Sequence, residues 1–254
     1  MSSPKSCSRT VSMILLTAVV LCCSQCSQRE PKRSGAKPLP SEIQVKINPN
    51  GPLVVNTSAA EFHLLSSGSI QGFLLKNGAK LTLDSPRSSP PNLQDHLVSG
   101  GKAIGFTADF SQVRVLEAQG KLGRGKRIEI PFHATDNANH IQRTLVLEAY
   151  DDLPNIVLTS TRFENSGSSD ARVDEIVTQS HALSAALSPA KSAPYDMWSF
   201  HGSSEDWGKD DVIKLSKGFS QENVMGAIRK GGYGGGIPVV AFWTGNVGEA
   251  IGHI

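Results

Sequence analysis

Two short stretches, "RIEIPF" (Arg127–Phe132) and "RTLVLEAY" (Arg143–Tyr150), alternate apolar and polar residues with a period of two. That period constrains the chain more than any other feature. Successive side chains on a strand point to opposite faces, whereas a helix returns to the same face only every 3.6 residues. In the first stretch Ile128, Ile130 and Phe132 oppose Arg127 and Glu129. In the second Leu145, Leu147 and Ala149 oppose Thr144, Glu148 and Tyr150. "IQVKIN" repeats the pattern, with Ile43, Val45 and Ile47 against Gln44, Lys46 and Asn48. "NIVLTSTRFEN" and "ARVDEIVTQSHAL" continue it on either side of "SGSSD", a cluster with turn chemistry. Further Gly, Pro, Asn and Asp clusters fall at 48–52 and 85–91, and no stretch of helical length carries a 3.6-residue apolar stripe. The pattern predicts an all-β fold, a large antiparallel β-sandwich whose apolar strand faces line the space between two sheets.

Composition agrees with an ordered domain, since 39% of the 254 residues are hydrophobic and 19% are charged. The formal charge of +2 comes from Lys and Arg scattered along the chain. Nucleic acid needs a clustered basic face, so no nucleic-acid partner is expected.

The N-terminus has its own chemistry. Lys5 and Arg9 precede "VSMILLTAVVL" (Val11–Leu21), an apolar run of signal-peptide length and too short to span a bilayer. Residues 1–26 therefore read as a signal peptide, 27–41 as a Pro-, Lys- and Ser-rich linker, and 42–254 as the sandwich. All four cysteines, Cys7, Cys22, Cys23 and Cys26, lie in or beside the leader, so neither disulfides nor a thiolate metal site is expected in the body. Cys23 and Cys26 are the candidate acceptors for a lipid anchor. The expected location is outside the cytoplasm: periplasmic, extracellular or lipid-anchored in the envelope.

Several chemistries are excluded. "GSSEDWGKDD" has five residues between its glycines where a phosphate loop has four, and Asp210 stands where that loop needs Ser or Thr. "GGYGGG" (Gly231–Gly236) is followed by Pro238 and a β-branched run, not by the helix of a dinucleotide site. The seven histidines show no local metal-ligand spacing, so no metal and no cofactor is expected. "NTS" at Asn56 is formally a glycosylation acceptor.

One region stands out. Trp198, Trp207 and Trp243 all fall after residue 194, and Trp207 is surrounded by Glu205, Asp206, Gly208, Lys209 and Asp210. An indole face flanked by carboxylates and a lysine suits a sugar: the ring stacks on apolar C–H groups while the charged groups bond vicinal hydroxyls. The candidate substrate-binding residues are Trp207, Asp206, Lys209, Asp210 and Trp198. Trp243, inside "IPVVAFWTG", reads instead as a strand residue filling the core. No residue is assigned a catalytic role, because the adjacent Asp210 and Asp211 point different ways on any backbone and cannot flank one glycosidic bond.

"WSFHGSSEDWGKDDVIKLSKGFSQENVMG" and "GIPVVAFWTGNVGEAIGHI", with "TLVLEAYDDLPNIVLTSTRFENSG" before them, together resemble the N-terminal region of bacterial α-galactosidases of the melibiase type. The resemblance spans Ile43 to Ile254 and implies a β-supersandwich of the galactose-mutarotase-like kind. It further implies that a (β/α)8 barrel, expected beyond Ile254, supplies both catalytic carboxylates, which retention places about 5–5.5 Å apart. On that view the sandwich is non-catalytic and incomplete at its C-terminal end, and the chain alone is inactive. "SSEDWGKDD" is then the loop that completes the barrel's pocket for an α-galactoside or oligosaccharide. A stand-alone carbohydrate-binding envelope module and a purely structural β domain are the competing expectations.

Overall fold

The computed structural model describes residues 40–85, 95–136, 140–178, 180–184, 198–201, 212–215, 239–244 and 247–252. Among them there is no α-helix, and every strand pairing is antiparallel. The all-β expectation holds, as does the sandwich.

The first sheet is a meander of β1 (Gln44–Lys46), β2 (Leu53–Asn56), β3 (Ala60–Leu64), β4 (Ile70–Lys76) and β5 (Ala79–Leu81). The second contains β6 (His96–Ser99), β7 (Lys102–Ala108), β8 (Arg114–Gly120), β9 (Gly123–Ala134), β10 (Ile141–Tyr150), β11 (Val157–Asn165) and β12 (Glu175–Val177). Its order is β11-β10-β9-β7-β6-β12, with β8 also on β9. The twelve-residue β9 organises this sheet. One edge takes β10, and the other takes β8 and then β7 in tandem. A 3-10 turn at Phe110–Gln112 separates β7 from β8, capped by Asp109, whose Oδ1 accepts the Ser111 N–H at 3.0 Å.

The alternation read from sequence sets the core. Ile128, Ile130, Phe132, Leu145, Leu147 and Ala149 are each no more than 1% exposed, and they form one cluster with Leu53, Val55 and Leu64 of the first sheet. The register pairs Ile130 with Leu145 and Ile128 with Leu147, so the apolar faces of β9 and β10 coincide. Three details depart from the simple alternation. Ile47 is 41% exposed because β1 ends at Lys46. Val146 and Tyr150, on the polar face of β10, are also buried. Third, "SGSSD" closes no hairpin, because β11 and β12 stand at opposite edges of the sheet. The cluster instead finishes β11, where the Ser166 N–H donates to His140 O at 2.8 Å and the Gly167 N–H to Asn165 Oδ1 at 3.0 Å.

Arg143 lies on the buried face too, opposite Phe132. Its guanidinium is fully buried, sits 4.5 Å from the Phe132 ring centroid, and pairs with Asp95 through Nη2 and Oδ2 at 2.7 Å. Asp95 Oδ1 accepts the Ser180 N–H at 3.0 Å, which ties the end of the β12 segment to this pair.

Two hairpins use two-residue loops with both φ angles positive, Asn77-Gly78 between β4 and β5 and Gly100-Gly101 between β6 and β7, as the twist of type I′ turns requires. Gly125 is needed for space. A Cβ there would meet Ala149 O at 2.0 Å and Tyr150 Cα at 3.0 Å, both backbone atoms of the paired β10. Gly125→Ala is expected to part β9 from β10 locally and to lower stability by about 1–3 kcal/mol or more, measured as a shift of the urea midpoint. An unchanged midpoint would show that the two strands are not held at this separation.

A third sheet follows: β13 (Trp198–His201), β14 (Val212–Lys214), β15 (Val239–Thr244) and β16 (Val247–Gly252), in the order β14-β13-β15-β16.

Candidate functional site

Of the five residues singled out for sugar binding, Asp206, Trp207, Lys209 and Asp210 lie outside the described residues, as do the signal segment and the GGYGGG stretch. The strands that bound them are described, and they place the ends of these segments. β13 and β14 pair antiparallel with Phe200 opposite Val212, so residues 202–211 leave and re-enter the sheet at the same end. The β13–β15 register sets His201 against Val240, and the β15–β16 register sets Val239 against Gly252. The start of β15 therefore lies at that end of the sheet as well.

The fifth residue, Trp198, starts β13 at the other end, three residues and roughly 10 Å along the strand from His201. The register pairs Trp198 with Trp243 and with Lys214, and Trp243 with Gly248. Directly paired positions in an antiparallel sheet share a face. Of the other positions on this face, Val212, Lys214, Gly248, Ala250 and Gly252 are exposed, and Val239 and Ala241 are half-buried. Trp243 is half-buried on that open face, not a core residue as its apolar neighbours in sequence suggest. A strand of apolar residues reads as core from periodicity alone, and only the exposure of the paired strands reveals a solvent-facing side.

The opposite face of the same sheet carries Ser199, which is fully buried, and Glu249. Glu249 meets two residues from the main sandwich. Its Oε1 lies 3.1 Å from His181 Nδ1, and His181 Nδ1 lies 3.7 Å from Asp84 Oδ1. Asp84 is 3% exposed. The backbone fixes the first two residues against each other. Asp84 bridges Leu183, the Ser85 N–H donates to Ala182 O, and the Ser184 N–H donates to Leu83 O, each bond 2.7 Å. Asp84 Oδ2 accepts the Gly72 N–H at 2.6 Å, which orients Oδ1 toward the imidazole. Burial opposes a charge on His181, but the Asp84 and Glu249 carboxylates outweigh it and raise the imidazole pKa to about 9. No local motif announces this cluster, because its three members come from segments remote in sequence.

Several other described titratable groups have structural partners. Glu61 is buried but bonds both carboxylate oxygens to Lys80 Nζ, at 2.7 and 2.8 Å, and also pairs with His63. Burial works to raise its pKa, and these bonds lower it overall. His133 pairs with Asp109 at 3.2 Å. Asn56 ends β2 with its Nδ2 buried, and the Thr57 hydroxyl donates to Pro154 O at 2.6 Å. The triplet at Asn56 is built into the sandwich and is not presented to a glycosylating enzyme.

The fold and its sites define a class, an all-β antiparallel sandwich with an appended four-stranded sheet, one face partly exposed and the other contributing Glu249 to a largely buried carboxylate–imidazole cluster. No protein-family model matches the chain, and no curated protein matches it significantly.

Proposed function

We propose that the chain is the non-catalytic sandwich of an exported α-galactosidase-like glycoside hydrolase, and that it acts by completing the sugar pocket of a (β/α)8 barrel that carries both catalytic carboxylates. The observation that carries this reading is the third sheet: half-buried Trp243 stands opposite position 198 on a face where the paired positions 212, 214, 248, 250 and 252 are exposed. Indole on an open sheet is suited to the apolar face of a pyranose, and a lysine position in the same row supplies a hydroxyl donor. Asp206, Lys209 and Asp210 are then hydroxyl ligands, and Trp207 is the stacking platform. The resemblance in sequence supplies the sugar class and the expectation of export or envelope anchoring.

Titration of the full chain with melibiose or raffinose, followed by calorimetry and tryptophan fluorescence, tests this. Weak binding with Kd of about a millimolar, near −4 kcal/mol, is expected from a partial pocket. It should weaken at least tenfold in Trp207→Ala, with no turnover of p-nitrophenyl α-galactoside by the chain alone. Micromolar binding would favour a stand-alone carbohydrate-binding module instead. No response to any galactoside would overturn both readings.

A further inference from the structure

We propose that Asp84, His181 and Glu249 form a binding site for one divalent transition-metal ion of the zinc type, which clamps β16 to the main sandwich. The inference is independent of the sugar-binding reading. The ligand set is one imidazole nitrogen and two carboxylate oxygens, the hard-to-borderline donors that Zn2+ takes in sites with three protein ligands and one open position. Ligands about 2.1 Å from a tetrahedral ion stand about 3.4 Å from one another. His181 Nδ1 lies 3.1 Å from Glu249 Oε1 and 3.7 Å from Asp84 Oδ1, and one donor atom from each of the three residues lies within 4.8 Å of the others. The two imidazole–carboxylate separations bracket those of a coordination shell.

Two further observations point the same way. His181 Nδ1 is buried and completes no hydrogen bond of normal geometry, despite its two close carboxylate neighbours. A ring nitrogen placed between two acids without completing a bond to either suits an ion that can bind all three. The surroundings are also preorganised. The Gly72 N–H holds Asp84 Oδ2 and leaves Oδ1 free for coordination, as outer-shell partners do in metal sites. The backbone bridge between Asp84 and Leu183 sets two of the three ligands before any ion arrives. Two carboxylates with a neutral imidazole carry a charge that one divalent ion cancels, which the imidazolium alone does not. Loading the ion displaces the imidazole proton, so affinity should rise with pH.

The experiment is equilibrium dialysis of the full chain against Zn2+ at pH 7.5 with metal quantified per chain, alongside thermal melts and Co2+ visible absorption. Cys7, Cys22, Cys23 and Cys26 are replaced by serine throughout so that leader thiols cannot bind the metal. One Zn2+ per chain, a rise in Tm reversed by EDTA, and a Co2+ spectrum typical of four-coordination are expected. His181→Gln and Glu249→Gln should each weaken binding at least a hundredfold. Circular dichroism of each variant checks that its fold persists. If one variant fails to fold, the other decides. Absence of stoichiometric binding at 100-fold excess metal overturns the proposal, and so does binding that persists in the two variants.

Discussion

Asp95→Ala is expected to destabilise the sandwich by about 3–5 kcal/mol, a large part of the total stability of an ordinary domain. Asp95 and Arg143 are both essentially inaccessible and meet at 2.7 Å. Removing the carboxylate leaves a guanidinium buried in the core, with Nε and Nη1 already lacking hydrogen-bond partners. Burial pushes the Arg143 pKa below its ordinary value, and Asp95 is the group that pulls it back. The same substitution frees the Ser180 N–H, so the β12 end loosens as well. Replacing the pair together, as Asp95→Leu with Arg143→Met, should cost far less, because a buried ion pair exchanged for apolar groups of similar volume is often neutral. Urea denaturation of the three proteins, followed by far-UV circular dichroism, measures both effects. If Asp95→Ala shifts the midpoint by less than its double variant does, the charge balance of the core has been misjudged.

In the metal-free chain, stability should fall as pH rises from about 6.5 to about 9. His181 has an ordinary pKa of 6.5 when unfolded and about 9 in the folded cluster. The folded state therefore binds the proton more tightly. The gain is fully present below pH 6.5 and is lost as the pH passes through the folded value. The difference corresponds to on the order of 3 kcal/mol. The measurement is the free energy of unfolding against pH in EDTA for the wild type and for His181→Gln. The wild type should lose its advantage over the variant across this window. A constant difference between the two would show that Asp84 and Glu249 do not hold the imidazolium. Zn2+ should reverse the trend near pH 8, since the deprotonated imidazole is then the ligand.

Much of the fold was legible in sequence because the cause is local. Period-two alternation in "RIEIPF" and "RTLVLEAY" sends Ile128, Ile130, Leu145 and Leu147 to one side of any strand, whatever the partner strand is. The hairpin loop at Asn77-Gly78 also has a local cause, positive φ at both positions, although it is not among the turns expected from sequence. The candidate site was legible only as a composition. The cluster of aromatics and acids after residue 194 led to the expectation of a sugar-binding loop; four of its five residues lie outside the described residues, and Trp198 starts β13 at the end of the strand away from His201.

By itself the sequence determined the class, an all-β sandwich, and the core-facing sides of β9 and β10. Those follow from alternation and backbone sterics, which act over a few residues. Only the tertiary structure decided which strands are neighbours, that "SGSSD" separates strands at opposite edges, and that Trp243 stands on an open face. It also placed Arg143 against Asp95, and brought Asp84, His181 and Glu249 into one cluster. Electrostatic and coordination geometry depends on distance in space, and alternation along the chain carries no information about which remote charges a fold will bring within a few ångströms.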